Sequence, residues 1–442
     1  MVLSTETQSR KPASRLPVMF RALRYRNYRL FFGGQIISLI GTWMQSIAQS
    51  WLVYRLTGSS LLLGTVGFAG QIPVFLFASL GGVFADRHSR RRIVTATQTA
   101  SMLLAFILSA LTLLKHIQVW EIMLLAASLG VVNAFDIPAR QSFIVEMVNS
   151  EDLINAIALN SAMFNGARIL GPAIAGVTVA AIGEGWCFFA NGVSYIAVII
   201  GLLLMKVAPR ERPRQAGSRL ESIMEGFRFA LHTGPIRALL LLLGLVSVTG
   251  MPYAVLMPIF ADRILHVGAR GMGLLMGATG VGALVATLML AARREVRGLG
   301  RWVLYASGGF GLSLILFSFS RSFTLSVLLL LPAGFCMLLQ MSSSNTLIQT
   351  MVPDALRGRV MAVYSMMFMG MAPFGALMGG ALADRLGAPW TVAIGGLACV
   401  IGAVCFRMYL PKIRVEARKL ILAQQMVAGE PAQDTSASLG QK

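Results

Sequence analysis

The sequence predicts an all-α membrane protein of twelve transmembrane helices, arranged as two pseudo-symmetric bundles of six. Its 442 residues are 56% apolar and 13% charged, with a mean hydropathy of +0.71, whereas soluble domains are about 25% charged. Stretches of about 20 residues without a charge recur along the chain, and each is long enough to cross a hydrocarbon core of about 30 Å. The two halves of the chain also share a glycine pattern, which indicates a duplicated unit.

The predicted spans are twelve apolar runs. The first six spans are predicted at 30–54, 61–85, 93–114, 118–139, 156–183 and 186–206. The second six are predicted at 236–261, 271–292, 302–320, 323–346, 360–384 and 389–410.

Lysine and arginine are distributed unevenly between the two sides of these spans. With the N-terminus placed in the cytoplasm, 31 of the 38 lie on the cytoplasmic side, six lie on the outer side and Arg168 lies within a span. The positive-inside rule therefore predicts that both termini are cytoplasmic. The net charge of +20 follows from this topology and suits an anionic inner leaflet, so we expect no nucleic-acid partner.

A polar interruption from Lys206 to Arg237 divides the spans into two sets. A helix is predicted within it at 220–231. The C-terminal stretch from 411 is basic and then rich in small and polar residues, which favours a disordered tail. The predicted organisation is a cytoplasmic segment 1–29, a bundle 30–206, a central cytoplasmic loop 207–235, a second bundle 236–410 and a cytoplasmic tail 411–442.

The two halves align with each other at nearly constant offsets. A shift of 204 residues places Gly171 on Gly375 and Gly176 on Gly380. A shift of 209 places Gly64 on Gly273. Such coincidences are typical of transporters built from parallel six-helix repeats.

A charged motif follows the second span, where Gly82 precedes Asp86 by four residues. Arginines then follow the carboxylate, at Arg87, Arg90 and Arg91. Glycine lets neighbouring helices approach closely, and a carboxylate is favoured near a helix N-terminus. Arginines after a span also obey the positive-inside rule, but that rule does not explain the glycine and the aspartate at this spacing.

The fifth span carries a second motif, Gly171-Pro172 followed by Gly176. Glycines on one helix face permit tight packing, and proline frees a carbonyl and permits bending. Ordinary packing of small residues would give a similar pattern.

These two motifs and the twelve spans resemble the major facilitator superfamily, in which the motifs correspond to the loop between the second and third helices and to the antiporter motif of the fifth. The resemblance implies that Asp86 bridges the two halves as a conformational latch, and that Arg90 reaches Asp136 in the fourth span. The stretch from Asn133 to Gln141 and the Arg168-x-x-Gly-Pro string resemble the bacterial enterobactin-exporter-like branch, which is similar to drug:proton antiporters.

Arg168 is the one lysine or arginine that falls near the middle of a predicted span, and therefore near mid-membrane. A guanidinium there is costly unless it faces a water-filled cavity or a partner. We expect it to contact an anionic or polar substrate or the proton-linked acid, although a structural arginine bound to backbone carbonyls and Asp136 is an open alternative. The other candidates for a cavity lining are the neutral residues Gln45, Gln49, Asn133, Asn165 and Gln340, for which hydrogen bonding between helices is the alternative.

The sequence lacks the motifs of enzymes and of ATP-driven pumps. It has no G-x-x-x-x-G-K-[ST] loop, and its four histidines and four cysteines form no metal-binding pattern. We therefore predict no enzyme activity, no cofactor and no metal site. A proton is the expected coupling ion, and Asp136 is the best candidate to carry it, although the predicted latch role competes for the same residue.

The sequence therefore predicts a multi-pass protein of the bacterial inner membrane that exports a small amphiphilic molecule, siderophore-like or drug-like. Export would use alternating access and proton antiport, and we expect a monomer. A lysophospholipid flippase, an importer of the same fold or a non-transporting membrane scaffold remain alternatives.

Overall fold

In the computed structural model, residues 18–206, 219–292 and 298–427 are described, and within these ranges every regular element is a helix. Twelve of the helices are long and apolar enough to cross a membrane. Each overlaps one of the predicted spans, and several predicted spans extend one or two residues beyond the end of the helix. These helices bury one face inside the bundle, and they expose leucine, isoleucine and phenylalanine on its outside, as a lipid environment requires.

The first six membrane helices are continuous. A short 3-10 helix, Val18–Arg24, precedes them. They are α1 Arg26–Thr57, α2 Ser60–Arg87, α3 Arg90–Leu113, α4 Val119–Met147, α5 Leu153–Ile182 and α6 Glu184–Leu204.

Two helices of the second six are interrupted by π-helical turns. In α7 these turns surround Pro252 and Pro258, and in α11 one turn precedes Pro373. Proline removes one helical hydrogen bond, so the adjacent turn widens. The six helices are α7 (Gly234–Leu245, Val246–Gly250, Pro252–Val255, Met257–Ile259 and Phe260–Ile264), α8 Gly268–Ala291, α9 Leu299–Phe319, α10 Phe323–Met351, α11 (Asp354–Ser365, Met366–Gly370 and Ala372–Leu386) and α12 Ala388–Val427.

The segments outside the bundle contain more helix than the sequence predicts. The last helix continues through Pro411 to Val427, where a disordered tail is predicted from residue 411. The residues after Pro411 are mostly alanine, leucine, lysine, arginine and glutamine, which favour helix. In the central loop a helix forms at Arg219–His232, as predicted, and it packs on the first part of α11. The rest of the tail, 428–442, and loop residues 207–218 lie outside the described ranges.

The two sets of six helices repeat the same packing. In the first set α1 packs on α5 and α6, α2 on α4, and α3 on α4 and α6. In the second set α7 packs on α11 and α12, α8 on α10, and α9 on α10 and α12. Adding six to each helix number converts one set of contacts into the other, which is the pattern expected of a duplicated unit.

The two sets meet along two crossings, α5 with α8 and α2 with α11. At each crossing a glycine faces a glycine. A Cβ atom added to Gly273 would lie 3.0 Å from the Cα of Gly176, and one added to Gly64 would lie 3.0 Å from the Cα of Gly380. These glycines occupy corresponding positions in the repeat, so one internal symmetry generates both crossings.

The bundle has two ends, which we name by their residues. The basic face is the end where α1 begins and where Arg90, Arg91 and Arg92 start α3. The opposite face is the end that carries the turn between α1 and α2 at Gly58.

Candidate functional site

The surface between the two sets of helices is the candidate site. Toward the opposite face both crossings are closed, because their glycines bring backbone against backbone. A Cβ on Gly176 would lie 2.9 Å from the carbonyl oxygen of Ala269, and one on Gly380 would lie 2.7 Å from that of Ser60. No side chain fits between the helices at these points.

A contact between α1 and α7 closes the same end; we call it the clasp and define it as Tyr54, Gly58, Asp262 and Arg263. The Tyr54 hydroxyl donates to Oδ2 of Asp262 at 3.0 Å. The guanidinium of Arg263 donates to the Gly58 carbonyl at 3.1 Å and lies 5.6 Å from the centre of the Tyr54 ring. The clasp therefore joins the two halves by a charge-assisted hydrogen bond and a cation–π contact.

Toward the basic face, the α5–α8 crossing ends at Arg168. A Cβ on Gly280 of α8 would lie 3.2 Å from the Arg168 carbonyl oxygen, whereas a Cβ on Gly166, two residues nearer the basic face, would meet no atom within 4 Å. The two helices therefore part at the level of Arg168. This level is the middle of the 30-residue α5.

At the other crossing, aromatic rings follow the glycines. Phe68 and Phe75 of α2 pack edge-on against Phe374 of α11, with ring centres 6.0 and 5.9 Å apart. Phe75 also lies over Gly370, where a Cβ would come within 2.5 Å of its ring. The halves are thus sealed on this side to about the middle of the membrane.

Arg168 lies at the innermost point of the opening, next to the second half. Its guanidinium interacts electrostatically with the hydroxyl of Tyr253 on α7, and it has no hydrogen bond or ion pair among the residues that the structure describes. Phe164, one turn nearer the basic face, is 45% exposed and meets Trp43 edge-on at 5.8 Å. A cation beside aromatic surface suits a ligand with one polar end and one apolar end.

The predicted cavity residues divide into two groups. Gln45 accepts a hydrogen bond from Asn191 at 2.7 Å and is buried against α6, so it joins helices within the first half and does not line the opening. Asn165 lies on the open side of Arg168 and donates to the Ser161 carbonyl at 2.9 Å. Of the rest, Gln49 and Asn133 are half-buried, and Gln340 is buried with no partner for its Nε2 among the described residues.

The antiporter-like motif of α5 serves two contacts. A Cβ on Gly171 would lie 3.0 Å from the Ile40 carbonyl oxygen of α1, so this glycine fixes packing within the first half. Gly176 and the Pro172 carbonyl face Gly273 on α8, so they fix the crossing between halves.

The charged motif after α2 pairs differently from the prediction. Arg90 forms an ion pair with Glu146 at 3.2 Å and donates to the Ser142 carbonyl at 2.9 Å; it does not pair with Asp136. The reason is that α4 runs to Met147, well past its predicted end, which brings Glu146 beside Arg90. Asp136 lies ten residues earlier, about 15 Å further along the helix axis.

The remaining motif residues lie at the basic face. Asp86 forms an ion pair with Arg90 of its own half at 3.9 Å, and Arg87 is exposed. Arg91 donates to the last carbonyls of α6, at 2.7 Å to Leu202 and 2.9 Å to Leu203, and so caps that helix. Gly82 is half-buried, and close approach of α2 to α4 occurs at the adjacent Gly81, where a Cβ would lie 3.0 Å from the Phe135 Cα.

Asp136 is buried inside the first half, where α3 and α4 meet, with 3% of its surface exposed. Its Oδ1 accepts from the Thr97 hydroxyl at 2.8 Å and from the Gln98 amide at 3.0 Å. Its Oδ2 pairs with Arg140 Nε at 3.3 Å. The carboxylate therefore has both oxygens occupied by donors.

Several residues of this site were not identified from the sequence. They are Tyr253, Glu146, Thr97, Gln98 and the clasp residues. An acid near the end of the fourth helix could have indicated Glu146 had that helix been predicted at its full length. Tyr253 gives no sequence signal of its own, because an aromatic residue inside an apolar span is ordinary.

Comparison with known proteins identifies the kind of protein to which this geometry belongs. Residues 18–435 match the family described as "Transmembrane secretion effector". The staphyloferrin A transporter of Staphylococcus aureus (strain NCTC 8325 / PS 47) is 25% identical over 88% of this chain and 97% of its own. The multidrug efflux pump Tap of Mycolicibacterium fortuitum is 26% identical over 85% and 93%. The enterobactin exporter EntS of Escherichia coli O81 (strain ED1a) is 25% identical over 89% and 92%.

Solved structures share the fold at lower sequence identity. A bacterial homologue of the iron transporter ferroportin in an inward-facing state superposes with a TM-score of 0.67 at 16% identity, covering 88% of this chain and 98% of its own. The nucleoside transporter NupG superposes with a TM-score of 0.69 at 13% identity, covering 89% and 99%.

Proposed function

The chain belongs to the transmembrane secretion effectors of the major facilitator superfamily, a family of membrane transporters, and we propose that it exports a small amphiphilic molecule across the bacterial inner membrane by alternating access coupled to proton entry. The main observation behind this proposal is that α5 and α8 separate at the level of Arg168. It supports a ligand site between two halves that are closed at one end.

The distribution of charge supports a cytoplasmic location for the open end of this conformation. The basic face carries the arginines of the α2–α3 turn, and by the positive-inside rule it is cytoplasmic. In the conformation described here, the two halves are in contact at the opposite face and separated at the basic face. This conformation would then receive substrate from the cytoplasm. Release would require the clasp and the glycine crossings to open and the basic face to close.

The surroundings of Arg168 support a substrate that has one polar end and one apolar end. A guanidinium at mid-membrane is stable only beside a polar or anionic partner, and no protein carboxylate pairs with it in the described part of the chain. We assign that place to the polar end of the substrate, with the Tyr253 hydroxyl contributed by the other half. The exposed ring of Phe164 and its neighbour Trp43 would take the apolar end.

Proton coupling is supported by the motif on α5 and by the energy that export requires. The sequence has no loop to hold ATP, so an ion gradient is the available source of energy. In the proposed cycle, Arg90, Glu146 and Asp86 stabilise one arrangement of the basic face as a latch. Glu146 takes the role that the sequence assigns to Asp136.

Untargeted mass spectrometry of cells and medium tests the proposal. A deletion strain would be complemented with the wild-type protein, with Asp86→Asn or with Arg168→Gln, and grown with and without iron. We expect one metabolite to be released by the wild-type strain and retained by the deletion strain and both variants, at equal protein abundance.

The alternatives give different results in the same experiment. Unchanged media with altered lysophospholipids in the membrane fraction would replace export by lipid flipping. Depletion of a compound from the medium by the wild type alone would replace it by import. A phenotype that survives both substitutions would contradict transport and favour a scaffold.

A further inference from the structure

The helix Arg219–His232, which we call the central helix, exposes apolar side chains although it lies outside the twelve membrane helices. Met224 is 65% exposed and Leu231 is 49% exposed. These two positions are seven residues apart, so they lie on one face of the helix. Large apolar side chains exposed outside a membrane span indicate contact with another molecule or with the membrane surface.

The other face of the central helix fixes it to the second half. Glu225 forms an ion pair with Arg359 of α11. A Cβ atom added to Gly226 would lie 2.9 Å from the Arg359 carbonyl oxygen, and Ala230 is buried. The central helix is therefore held at the basic face, where α7 and α11 begin.

A pocket lies between the central helix, α7 and α11. We call it the side pocket and define it by six of the residues that line it, Phe227, Leu231, Arg237, Leu241, Val363 and Met367. Among the described residues of the lining, Arg237 alone carries a charge. Leu241, one turn after Arg237 on α7, is 62% exposed, so the apolar surface of the pocket continues along the membrane-spanning part of α7.

Arg237 has donors available for a ligand. One of its N–H groups donates to the Leu231 carbonyl at 3.2 Å, whereas a guanidinium has five N–H donors. The side chain is exposed, and it pairs with no carboxylate in the part of the chain that the structure describes. Arg228, about one turn before Leu231, is also exposed. Two guanidinium groups beside an apolar pocket suit a ligand with a phosphate at one end and a hydrocarbon chain at the other.

The position of the side pocket favours a lipid over the exported compound. Every residue that lines it belongs to the central helix or to the second half, whereas the opening at Arg168 lies between the halves. Basic pockets between membrane helices near the cytoplasmic surface are typical binding sites for anionic lipid head groups. The positive-inside rule would explain the arginines but not the apolar pocket beside them.

The side pocket also reaches the interrupted turns of the second half. Met367 belongs to the π-helical turn Met366–Gly370 of α11. The carbonyl of the next residue, Phe368, accepts a hydrogen bond at 2.6 Å from the hydroxyl of Ser247, which lies on a π-helical turn of α7. A ligand in the pocket therefore contacts one of two turns that are joined to each other.

We propose that the side pocket binds one anionic phospholipid. Arg237, together with Arg228, contacts the phosphate, and an acyl chain lies along Leu231 and Leu241. The bound lipid joins the central helix to α7 and to the interrupted turn of α11. This inference goes beyond the proposed export, because it depends neither on the exported compound nor on the coupling ion.

Native mass spectrometry of the purified full-length protein, titrated with phosphatidylglycerol or with phosphatidylcholine of the same chain length, tests the proposal. We expect the tightest-bound lipid to be phosphatidylglycerol. Arg237→Gln should weaken its binding by about fivefold, and Arg228→Gln added to it by about fivefold more. Arg321→Gln removes an exposed arginine at the opposite face and should leave the affinity unchanged. Equal affinity of the wild type for the two lipids, or an unchanged affinity in Arg237→Gln, overturns the assignment.

A second pair of variants separates the pocket from the general attraction of anionic lipid to a basic surface. Leu231→Asn removes part of the apolar lining and keeps both arginines, so it should weaken the binding of phosphatidylglycerol. Met224→Asn, on the same helix but outside the lining, should not. Equal affinities of these two variants would contradict a bound acyl chain and leave only non-specific attraction.

Hydrogen–deuterium exchange in lipid nanodiscs reports the local effect of the lipid. The amides of the central helix should exchange more slowly in phosphatidylglycerol than in phosphatidylcholine, because a ligand stabilises the segment that it contacts. The variant with both Arg228→Gln and Arg237→Gln should lose this difference. The amides of α3, which the pocket does not include, show in the same data that the variant is folded. Equal exchange of the central helix in the two lipids, in the wild type, contradicts the proposal.

Discussion

At the scale of single residues, Arg168 is the most consequential side chain. It lies where α5 and α8 separate, its backbone carbonyl forms part of the last contact of that crossing, and its guanidinium interacts electrostatically with Tyr253 of the other half. A substrate held by both residues would touch both moving bodies at once. The residue is therefore in a position to detect substrate and to respond to movement of the halves.

Replacing Arg168 tests whether its charge is needed. We expect Arg168→Gln to lower export by about 10- to 150-fold, the range given by losing a hydrogen bond to a charged group worth about 1.5–3 kcal/mol. Arg168→Lys should retain part of the activity, because it keeps the charge and loses the planar donor geometry. The measurement is the rate of metabolite release at equal protein abundance. Arg321→Gln, which removes an exposed arginine at the opposite face, is the control and should leave the rate unchanged.

Residue roles could be predicted from the sequence only in part. Arg168 was identifiable because a lone cation in an apolar span is costly wherever it points. The partners of Arg90 and Gln45 were not, because a pairing depends on helix length and on which faces meet. The eight residues that α4 adds beyond its predicted end at 139 decide that Glu146 and not Asp136 meets Arg90.

At the scale of helices, the two glycine crossings are the contacts between the halves that would have to open in the proposed cycle. Pairs of facing glycines can separate without disengaging interlocked side chains, and the repeat supplies one pair on each side of the bundle. The same glycines gave the repeat its signal in the sequence. The glycine pattern that indicates a duplicated unit in the sequence therefore also lies at the contacts between the halves.

Crowding one crossing tests this role. Gly176→Leu should push α8 away at the opposite face, because even a Cβ there would lie 2.9 Å from the Ala269 carbonyl oxygen. Overpacking of about 1–3 kcal/mol would shift the equilibrium about 5- to 150-fold toward the state open at the opposite face. The distance between spin labels at Ile154→Cys on α5 and Leu288→Cys on α8, both exposed positions near the basic face, should shorten and export should fall. Gly166→Ala, on the same helix but with no atom within 4 Å of its Cβ, should change neither.

The interruptions of α7 and α11 were the element-scale features that the sequence did not reveal. Their apolar runs are continuous, and a proline inside a membrane helix predicts a bend without specifying a widened turn. The twelve spans themselves were predictable, because length and absence of charge are sufficient to identify a membrane helix.

At the scale of the whole molecule, the clasp favours one of two global states. It forms only when the opposite face is closed, since Tyr54 and Asp262 belong to different halves. Tyr54→Phe removes a hydrogen bond to a carboxylate that is partly exposed, and a loss of about 1.5 kcal/mol would raise the population open at the opposite face by about tenfold. Thiol labelling of Gly67→Cys, which lies between the halves, should become faster. Unchanged labelling would mean that the clasp does not influence the equilibrium.

The orientation of the molecule is a second prediction at this scale. The arginines at the basic face predict that this face is cytoplasmic. Green fluorescent protein fused after Val427 should fluoresce, and alkaline phosphatase inserted after Lys115, in the turn between α3 and α4, should be active. The opposite pattern would reverse both the orientation and the proposed direction of transport.

The glycine crossings have a consequence for the adaptation of this architecture to new compounds. Because the contacts between the halves at these crossings are formed by backbone atoms, the side chains around Arg168 can be exchanged without altering those contacts. Selection for a new substrate would then change the residues around Arg168, whereas the glycines of the crossings would stay the same. Directed evolution restricted to positions 43, 164, 165 and 253 should therefore broaden the range of exported compounds, and most variants should remain able to transport.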